Sequence, residues 1–204
     1  MVGIEPEIRI SGVDEESEEY QSLSPSELVV ALAIVKAHTV ANALIAEGTL
    51  DDDLIVIGCD STFEFEGRSL GKPGTVERSI ERSRLVQGRS GILHTGHCLI
   101  NLRREITSTK GAMREYSDIA STRVHFAPMS ESEIASYAAT GEPLHVAGGF
   151  TLDGLSAPFI RAIEGDWSNV IGLSLPLIKS AIDSFDYSWF EIATNATPHE
   201  MGSP

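Results

Sequence analysis

The sequence predicts an α/β protein in which helices flank a mixed, twisted sheet, and three observations support that class. Apolar, strand-like runs lie at about residues 54–59, 92–102 and 113–126, and stretches with helical spacing of apolar residues lie between them or beside them. Ser-x-x-Glu capping boxes at Ser24 and Ser130 mark helix starts. Because strands and helices alternate irregularly, with hairpin turns among them, a mixed sheet is expected rather than a purely parallel one.

A short strand and a long helix are expected first. Residues 7–11 alternate polar and apolar side chains, which is typical of a short strand, and an acidic loop follows them. Ser24 and Glu27 have the capping-box spacing, with proline at the first helical position, so a helix begins there. Its apolar residues form stripes at helical spacing, and Gly48 is expected to end it.

The next segment contains the strand on which the functional argument depends. Residues 54–59 are small or apolar throughout, so this strand is expected to be buried on both faces and to end at Asp60, at the mouth of the sheet. A hairpin should then turn at Glu66-Gly67. Thr75 should cap a helix that stops at Gly88.

The second half of the chain is expected to continue with long strands, helices and a glycine-rich turn. Ser130 and Glu133 form its capping box. From the apolar runs, turn residues and caps we expect strands at about 92–102 and 113–126, a helix ending at 141, a glycine-rich turn at 147–154, a strand at 158–163 and a helix at 176–182.

Length and composition favour one domain. The chain has 204 residues, of which 42% are hydrophobic and 22% charged, and this is enough apolar material for a single core. We expect that domain to cover residues 1–192. Residues 193–204 are polar and contain prolines, so a frayed tail is expected there.

The net charge limits the possible partners. Thirty acids against fifteen bases give a formal charge of −15, and such a surface repels DNA and RNA, so no nucleic acid polymer is expected. A small phosphorylated ligand would need local cations or a divalent metal. We expect no apolar run near the length of a membrane span, and no signal peptide is recognisable, so we expect no membrane partner and a cytoplasmic location.

One acid and one lysine point to chemistry on an anionic ligand. A carboxylate at the end of a buried strand, such as Asp60, is costly unless it is used or paired. Lys72 follows in a Gly-Lys-Pro turn, from which its ammonium reaches a phosphate or that acid. Together they suggest metal-assisted chemistry. Two simpler readings stay open: Asp60 caps the next turn, and Lys36, in an apolar helix stripe, extends its ammonium to solvent.

Eight segments stand in a fixed order along the chain: GVDEE, SPSELVVALAIVKA, VIGCDS, GRSLGKP, GRSGILHTGHCLI, TRVHF, YAATGEPLHVAGGFTLDGL and EGDWSNVIGLSLPL. Together, over about residues 10–177, they resemble the Maf family of nucleotide pyrophosphatases, also called septum formation inhibitor proteins. The resemblance implies a fold like that of the inosine triphosphate pyrophosphatases, with two lobes around a cleft. It also implies hydrolysis of a nucleoside triphosphate to the monophosphate and pyrophosphate with a divalent cation, Mg²⁺ or Mn²⁺, and it is compatible with a homodimer.

Carried over position by position, the resemblance implies roles for particular acids. Asp60 matches the aspartate of the family's G-A-D-T motif and resembles its general base, and Ser61 matches the threonine of that motif as a substrate contact. Asp14, with Glu15 beside it, matches an acid expected to hold the metal together with Asp60.

The resemblance also implies substrate contacts. Lys36 in the long helix and Lys72 in the Gly-Lys-Pro turn match lysines that contact phosphates or carboxylates. Asp153 stands at the position associated with the choice of base, which is often Gln or Glu. His94 and His97 are expected to be structural, because their spacing within a strand places them on opposite faces.

Two departures from the family pattern bear on the activity. Family members begin with an apolar strand and then S-x-S-P-R-R, which resembles a phosphate cradle at a helix N-terminus, and nothing like it appears in residues 1–6. Either the chain as given starts inside a longer gene product, or it lacks that segment. The family's E-P-x-D-K-A-G reads EPLHVAG at 142–148. A pyrophosphatase is the leading hypothesis, and the alternative is a nucleotide-binding regulator of cell division that has lost turnover.

Overall fold

The computed structural model describes residues 3–4, 6–48, 54–102 and 114–194 and shows helices packed on an antiparallel sheet. The strands are β1 (Leu54–Phe65), β2 (Arg68–Leu70), β3 (Ser90–Leu102), β4 (Arg114–Phe126) and β5 (Ile160–Glu164). The helices are α1 (Pro25–Glu47), α2 (Val76–Val86), α3 (Glu131–Ala139), α4 (Trp167–Val170), α5 (Leu175–Ser184) and α6 (Trp189–Thr194), and 3₁₀ turns lie at Glu18–Tyr20, Glu142–His145, Ala147–Gly149 and Ala157–Phe159.

The sheet has the strand order β2-β1-β3-β4-β5, and each of its pairings within the described residues is antiparallel. The α/β class with flanking helices is confirmed, but the sheet is not mixed as expected. The hairpin at Glu66-Gly67 reverses the chain before α2 begins. Helix α2 therefore does not form the strand–helix–strand crossover that a parallel pair of strands requires.

Helix α1 has the ends that the sequence predicts. Ser24 accepts a hydrogen bond from the backbone N–H of Glu27, the Ser24 N–H donates to the Glu27 carboxylate in return, and Pro25 occupies the first turn. Gly48 ends the helix in the left-handed conformation, with a φ of 71°, which glycine adopts without strain. Both signals are local, so the sequence alone was enough to place this helix.

Helix α1 is also the one helix among the described residues that is long and apolar enough to cross a membrane. The expectation that the chain has no such run is therefore wrong. Its composition has a second explanation in this fold, because Ala37, Ala41 and Leu44 are buried against Val56 of β1 and Ile100 of β3. A helix that packs on the centre of a sheet buries an apolar side, and that side can be as apolar as a membrane-spanning helix.

Two glycines let α1 approach the sheet closely. Gly58 on β1 and Gly96 on β3 lie under the helix, and an added Cβ would overlap the carbonyl oxygen of Ala33 at Gly58 and that of Val29 at Gly96. Helix backbone and strand backbone are therefore in direct contact, which fixes the height of α1 above the sheet. Asp60 projects from the same face as Gly58, because side chains alternate along a strand.

The opposite face of the sheet is covered by two apolar clusters. At one end α5 and α6 pack on it, with Leu99 and Phe185 fully buried. At the other end three aromatic rings meet edge to face, with centroids 5.0 to 5.7 Å apart: Phe63, Phe126 and Phe150. Edge-to-face contacts of this kind add to the stabilisation from burial.

Strand β1 is longer than expected. It does not end at Asp60 but continues to Phe65. The apolar run stops at residue 59 because beyond it one face of the strand carries polar side chains, while Phe63 and Phe65 on the other face remain buried. Asp60 therefore lies inside the strand rather than at its end.

The N-terminal segment and the tail also differ from expectation. Residues 7–11 form no strand, and Ile8 and Ile10 are 87% and 95% exposed. Helix α6 extends to Thr194, so the first residues of the expected tail are helical. Residues 195–204 lie outside the described residues.

The outer edge of β1 is open over most of its length. β2 pairs only with Phe63, Glu64 and Phe65, and within the described residues no strand pairs with that edge over residues 54–62. A groove of about 240 Å³ lies between the start of β1, helix α1 and the extended residues Glu7 and Arg9. Within the described residues, the first half of β1 is therefore an edge strand that pairs with β3 alone.

The close approach of α1 predicts a large effect of one added methyl group. Gly96→Ala should lower the free energy of unfolding by about 1–3 kcal/mol, because the methyl group overlaps the α1 backbone and the helix must shift. Urea denaturation would measure this. The matched control is Gly71→Ala, where nothing lies within 4 Å of the added carbon and the change should stay within about 0.5 kcal/mol. Equal losses in both variants would contradict the packing described here.

Candidate active site

Asp60 and Lys36 meet between the sheet and its covering helix. Asp60 projects towards α1 from β1, at the position paired with Gly96 of β3, and Lys36 reaches it from the middle of the helix. The Lys36 Nζ donates to Asp60 Oδ1 over 2.6 Å, and the two side chains are 18% and 14% exposed. The lysine therefore does not extend to solvent, and the acid caps no turn.

Glu15 completes the cluster from the loop before α1. Its Oε1 lies 2.5 Å from the Lys36 Nζ, and its side chain is 44% exposed. Lys36 thus bridges two carboxylates, a partly buried one on the sheet and a more exposed one on the loop. Three of the residues singled out by the sequence are in this way brought together around one ammonium group.

Burial and charge act in opposite directions in this cluster. Burial raises the pKa of Asp60 above its ordinary value, and the hydrogen bond and charge of Lys36 only partly offset that rise. For Lys36, burial opposes the charged form, but the hydrogen bonds to Asp60 and Glu15 outweigh it and raise the pKa of the lysine. The ammonium is therefore firmly charged, and the Asp60 carboxyl binds a proton more readily than an exposed aspartate does.

Lys72 lies in a loop that returns from β2 towards Asp60. Burial raises the pKa of Asp60, and the positive charge of Lys72 acts on Asp60 as a smaller influence against that rise. The loop is held on both sides: the Gly148 N–H donates to the Gly71 carbonyl over 3.3 Å, and the Gly74 N–H donates to the Leu144 carbonyl over 2.9 Å. The exposed Lys72 side chain is thus carried by a backbone that is fixed against the glycine-rich segment.

Glu142 organises the loop that carries Asp153. Its carboxylate accepts hydrogen bonds from the Thr151 hydroxyl over 2.6 Å, from the Leu155 N–H over 3.0 Å and from the Tyr137 hydroxyl over 3.2 Å. Several donors on one carboxylate order this loop, and together they hold the pKa of Glu142 below its usual value although burial works in the other direction. Sequence reasoning missed this role. The available signal was the Glu-Pro pair, an acid directly before a proline at the start of a helical turn.

Three of the residues with predicted roles have other contacts or surroundings than the Lys36 bridge. The Asp14 Oδ1 accepts a hydrogen bond from the Glu16 N–H over 3.1 Å, so it caps its own turn. Ser61 projects from the opposite face of β1, with its hydroxyl 2.8 Å from that of Thr95. Asp153 is exposed in the loop that Glu142 orders. Their proposed contacts with metal or substrate stay predictions.

A second polar cluster on the Asp60 face of the sheet was not anticipated. His94 lies between Glu64 and Ser121, and the structural role expected for this histidine stays a prediction. His97 does face the other way, where its Nε2 accepts a hydrogen bond from the Ser174 N–H over 2.9 Å. Only the register of three strands reveals the first cluster, and no local motif signals it.

The donor atoms around Lys36 suit a hard divalent cation. Glu15 and Asp60 each place one carboxylate oxygen on the Lys36 ammonium, which holds the two carboxylates near each other, and Mg²⁺ is commonly held by one or two carboxylates together with substrate phosphates. Over the described ranges no group of three or more Asp, Glu, His or Cys side chains is close enough to hold a metal alone. The residues therefore fit a cation that the substrate helps to bind, and not a preformed protein cage.

The fold and site define an α/β protein in which a lysine ammonium contacts two carboxylates on one face of the sheet. Such a site is suited to an anionic ligand together with a cation. The chain belongs to the Maf-like protein family, because the family model with that description matches residues 1–185.

Named relatives agree with this assignment. A nucleoside triphosphate pyrophosphatase of Salinispora tropica is 48% identical over 207 residues, which is 99% of this chain and 86% of that protein. One of Streptomyces coelicolor is 48% identical over 177 residues, 87% of this chain and 79% of that protein. One of Mycobacterium sp. strain JLS is 43% identical over 189 residues, 91% of this chain and 87% of that protein.

The buried pair predicts a pH-dependent loss of stability. Lys36→Met leaves the Asp60 carboxylate without its partner and should cost about 2 kcal/mol at neutral pH, less than the roughly 3–5 kcal/mol for a fully buried pair because both groups keep some solvent contact. The variant's Asp60 pKa should rise further. An acid whose folded pKa is raised contributes stability below its unfolded pKa and loses it as the pH rises through the folded value.

The penalty of Lys36→Met should therefore be small near pH 4 and grow towards neutrality, as measured by urea denaturation at several pH values. Adding Asp60→Asn to that variant should recover most of the loss. Lys179→Met, which breaks the exposed pair with Asp183, is the matched control and should show little change. A penalty of Lys36→Met that does not vary with pH would contradict the proposed cause.

Proposed function

We propose that this protein is a metal-dependent nucleoside triphosphate pyrophosphatase, which releases a nucleoside monophosphate and pyrophosphate. The observation that carries the proposal is the bridge from Lys36 to Asp60 and Glu15, with Lys72 close enough to act on Asp60. The printed names of the relatives support the same reaction.

Asp60 acts as the general base. Lys36 bonds to its Oδ1, which orients the carboxylate and directs Oδ2 to a water molecule. That water attacks the α-phosphorus, its proton passes to Asp60, and the bond from the α-phosphorus to the bridging oxygen of the leaving pyrophosphate breaks. A raised pKa supports this role, because a carboxylate with a pKa nearer to neutrality is a stronger base.

Lys36 and Lys72 hold the phosphates. Lys36 approaches Asp60 from α1, and Lys72 approaches it from the loop that follows β2 at the outer edge of β1. Together they provide local positive charge for an anion in a protein whose net charge is −15. Lys72 is exposed on a fixed loop, so its long side chain is suited to contact the leaving pyrophosphate.

A divalent cation, Mg²⁺ or Mn²⁺, would be held by Glu15 and Asp60 together with substrate phosphates, and Asp14 next to Glu15 could join them by leaving its turn. When bound, it neutralises charge on the phosphate oxygens. Lys36 keeps the two carboxylates near each other when no cation is bound, which limits the cost of their mutual repulsion.

The remaining assignments complete the proposal. Asp153, on the loop ordered by Glu142, is a base contact from a second part of the cleft. Ser61 has no direct contact in this mechanism, since its hydroxyl faces the other side of the sheet. We further propose a cytoplasmic location and a homodimer, in keeping with a substrate from the nucleotide pool.

Pyrophosphate release from a panel of nucleoside triphosphates and deoxynucleoside triphosphates, with Mg²⁺ or Mn²⁺, tests the activity. Asp60→Asn should lower kcat by about 100-fold or more, the usual contribution of a general base, and EDTA should abolish turnover. Asp118→Asn, at an exposed aspartate of β4, is the matched control and should retain activity. The proposal fails if the wild type releases no pyrophosphate from any of them, or if Asp60→Asn turns over at the wild-type rate.

A further inference from the structure

Glu64, His94 and Ser121 form a chain of hydrogen bonds across three neighbouring strands. The His94 Nε2 lies 2.9 Å from Glu64 Oε2, and its Nδ1 lies 2.8 Å from the Ser121 Oγ. The histidine side chain is 9% exposed and that of Glu64 is 30% exposed, while Ser121 is exposed. The imidazole is thus hidden, and it holds in place two polar groups that solvent reaches.

This chain of groups shares a sheet face with Asp60. Asp60, Thr62 and Glu64 alternate along β1 and therefore project on the same side. Thr62 is paired with His94 on β3, and His94 is paired with Ser121 on β4. Helix α1 begins near this position of the sheet, since Val29 in its first turns lies over Gly96. The face beyond the helix start is polar.

The direction from Asp60 to Ser121 leads away from the lysines. Lys72 follows β2, which runs along the outer edge of β1 back towards Asp60, whereas Ser121 lies two strands away on the inner side. Two residues along a strand and two strands across correspond to about 12 Å between these positions. With the α-phosphorus at Asp60 and the leaving phosphates towards the lysines, the nucleoside must extend over this polar face.

We propose that Glu64 and Ser121 bind the nucleoside end of the substrate and that His94 is the positioning residue that aligns them. This inference rests on the proposed function and names a subsite within it. The Glu64 carboxylate only accepts hydrogen bonds, so it selects a nucleoside group that donates them, either the ribose hydroxyls or an N–H edge of the base. The Ser121 hydroxyl, with its orientation set by His94, contacts the same group or its neighbour.

A set of matched variants tests this subsite. Ser121→Ala, Glu64→Gln and His94→Gln should each raise KM about tenfold with kcat within about twofold of the wild type, because they weaken hydrogen bonds made equally in the ground and transition states. The matched controls are His38→Gln and Glu115→Gln, which break a His–Glu pair of the same 2.9 Å separation between α1 and β4. They should leave KM and kcat unchanged.

Binding measurements separate the subsite from the reaction. The dissociation constant of an α,β-imido nucleoside triphosphate, which resists hydrolysis at that bond, should rise about tenfold in the three variants. That of inorganic tripolyphosphate, which has no nucleoside, should not change. If Glu64 binds the ribose, Glu64→Gln should affect ribonucleotides more than 2′-deoxynucleotides, and if it binds the base, the two sugars should respond alike.

Several results would overturn the inference. These are unchanged affinity for the imido nucleotide in Ser121→Ala, an equal loss of affinity for tripolyphosphate, or a fall of kcat without a change in KM. No binding of the imido nucleotide by the wild type would also overturn it. Active wild type with unaffected variants rejects the subsite alone, whereas nucleotide binding that depends on Ser121 without pyrophosphate release rejects the proposed reaction and keeps the subsite.

Discussion

The contact between Lys36 and Asp60 is the interaction on which this structure depends most. It joins the long helix to the strand below it, and it brings together the charged residues of the candidate site. A carboxylate that is 14% exposed needs a partner, and the partner arrives only because α1 lies against the strand backbone. Gly58 and Gly96 make that approach possible, since neither carries a side chain to hold the helix away. The packing of α1 on the sheet and the contact between Lys36 and Asp60 therefore both depend on these two glycines.

Much of the fold could be predicted from the sequence, because its signals are local. The capping boxes at Ser24 and Ser130 and the turn at Glu66-Gly67 are each decided by a few neighbouring residues. The direction of the strands was not decided in that way. Whether β3 runs parallel or antiparallel to β1 depends on the path of the chain between them, and a helix in that path does not determine it.

The candidate site was partly accessible to the same reasoning. Asp60 was singled out as an acid that follows an apolar strand, Lys36 and Glu15 gained their roles by likeness to a family, and the geometry adds that one ammonium bridges two carboxylates. The end of the strand was misplaced because an apolar run shows only where both faces are buried. His94 is 30 positions from Glu64 and 27 positions from Ser121 in the chain. Only the register of the strands brings these three residues together.

The open side of β1 has a consequence for how this protein behaves in concentrated solution. Along residues 54–62 the main-chain N–H and C=O groups that do not pair with β3 face outwards, without a strand on that side in the part of the chain that the structure describes. Ile8 and Ile10 stand nearby, almost fully exposed. Such a border is a template for any extended polypeptide, whatever its side chains. Self-association there would be governed by backbone complementarity and would grow steeply with concentration, and it would involve the same stretch of strand that carries Asp60.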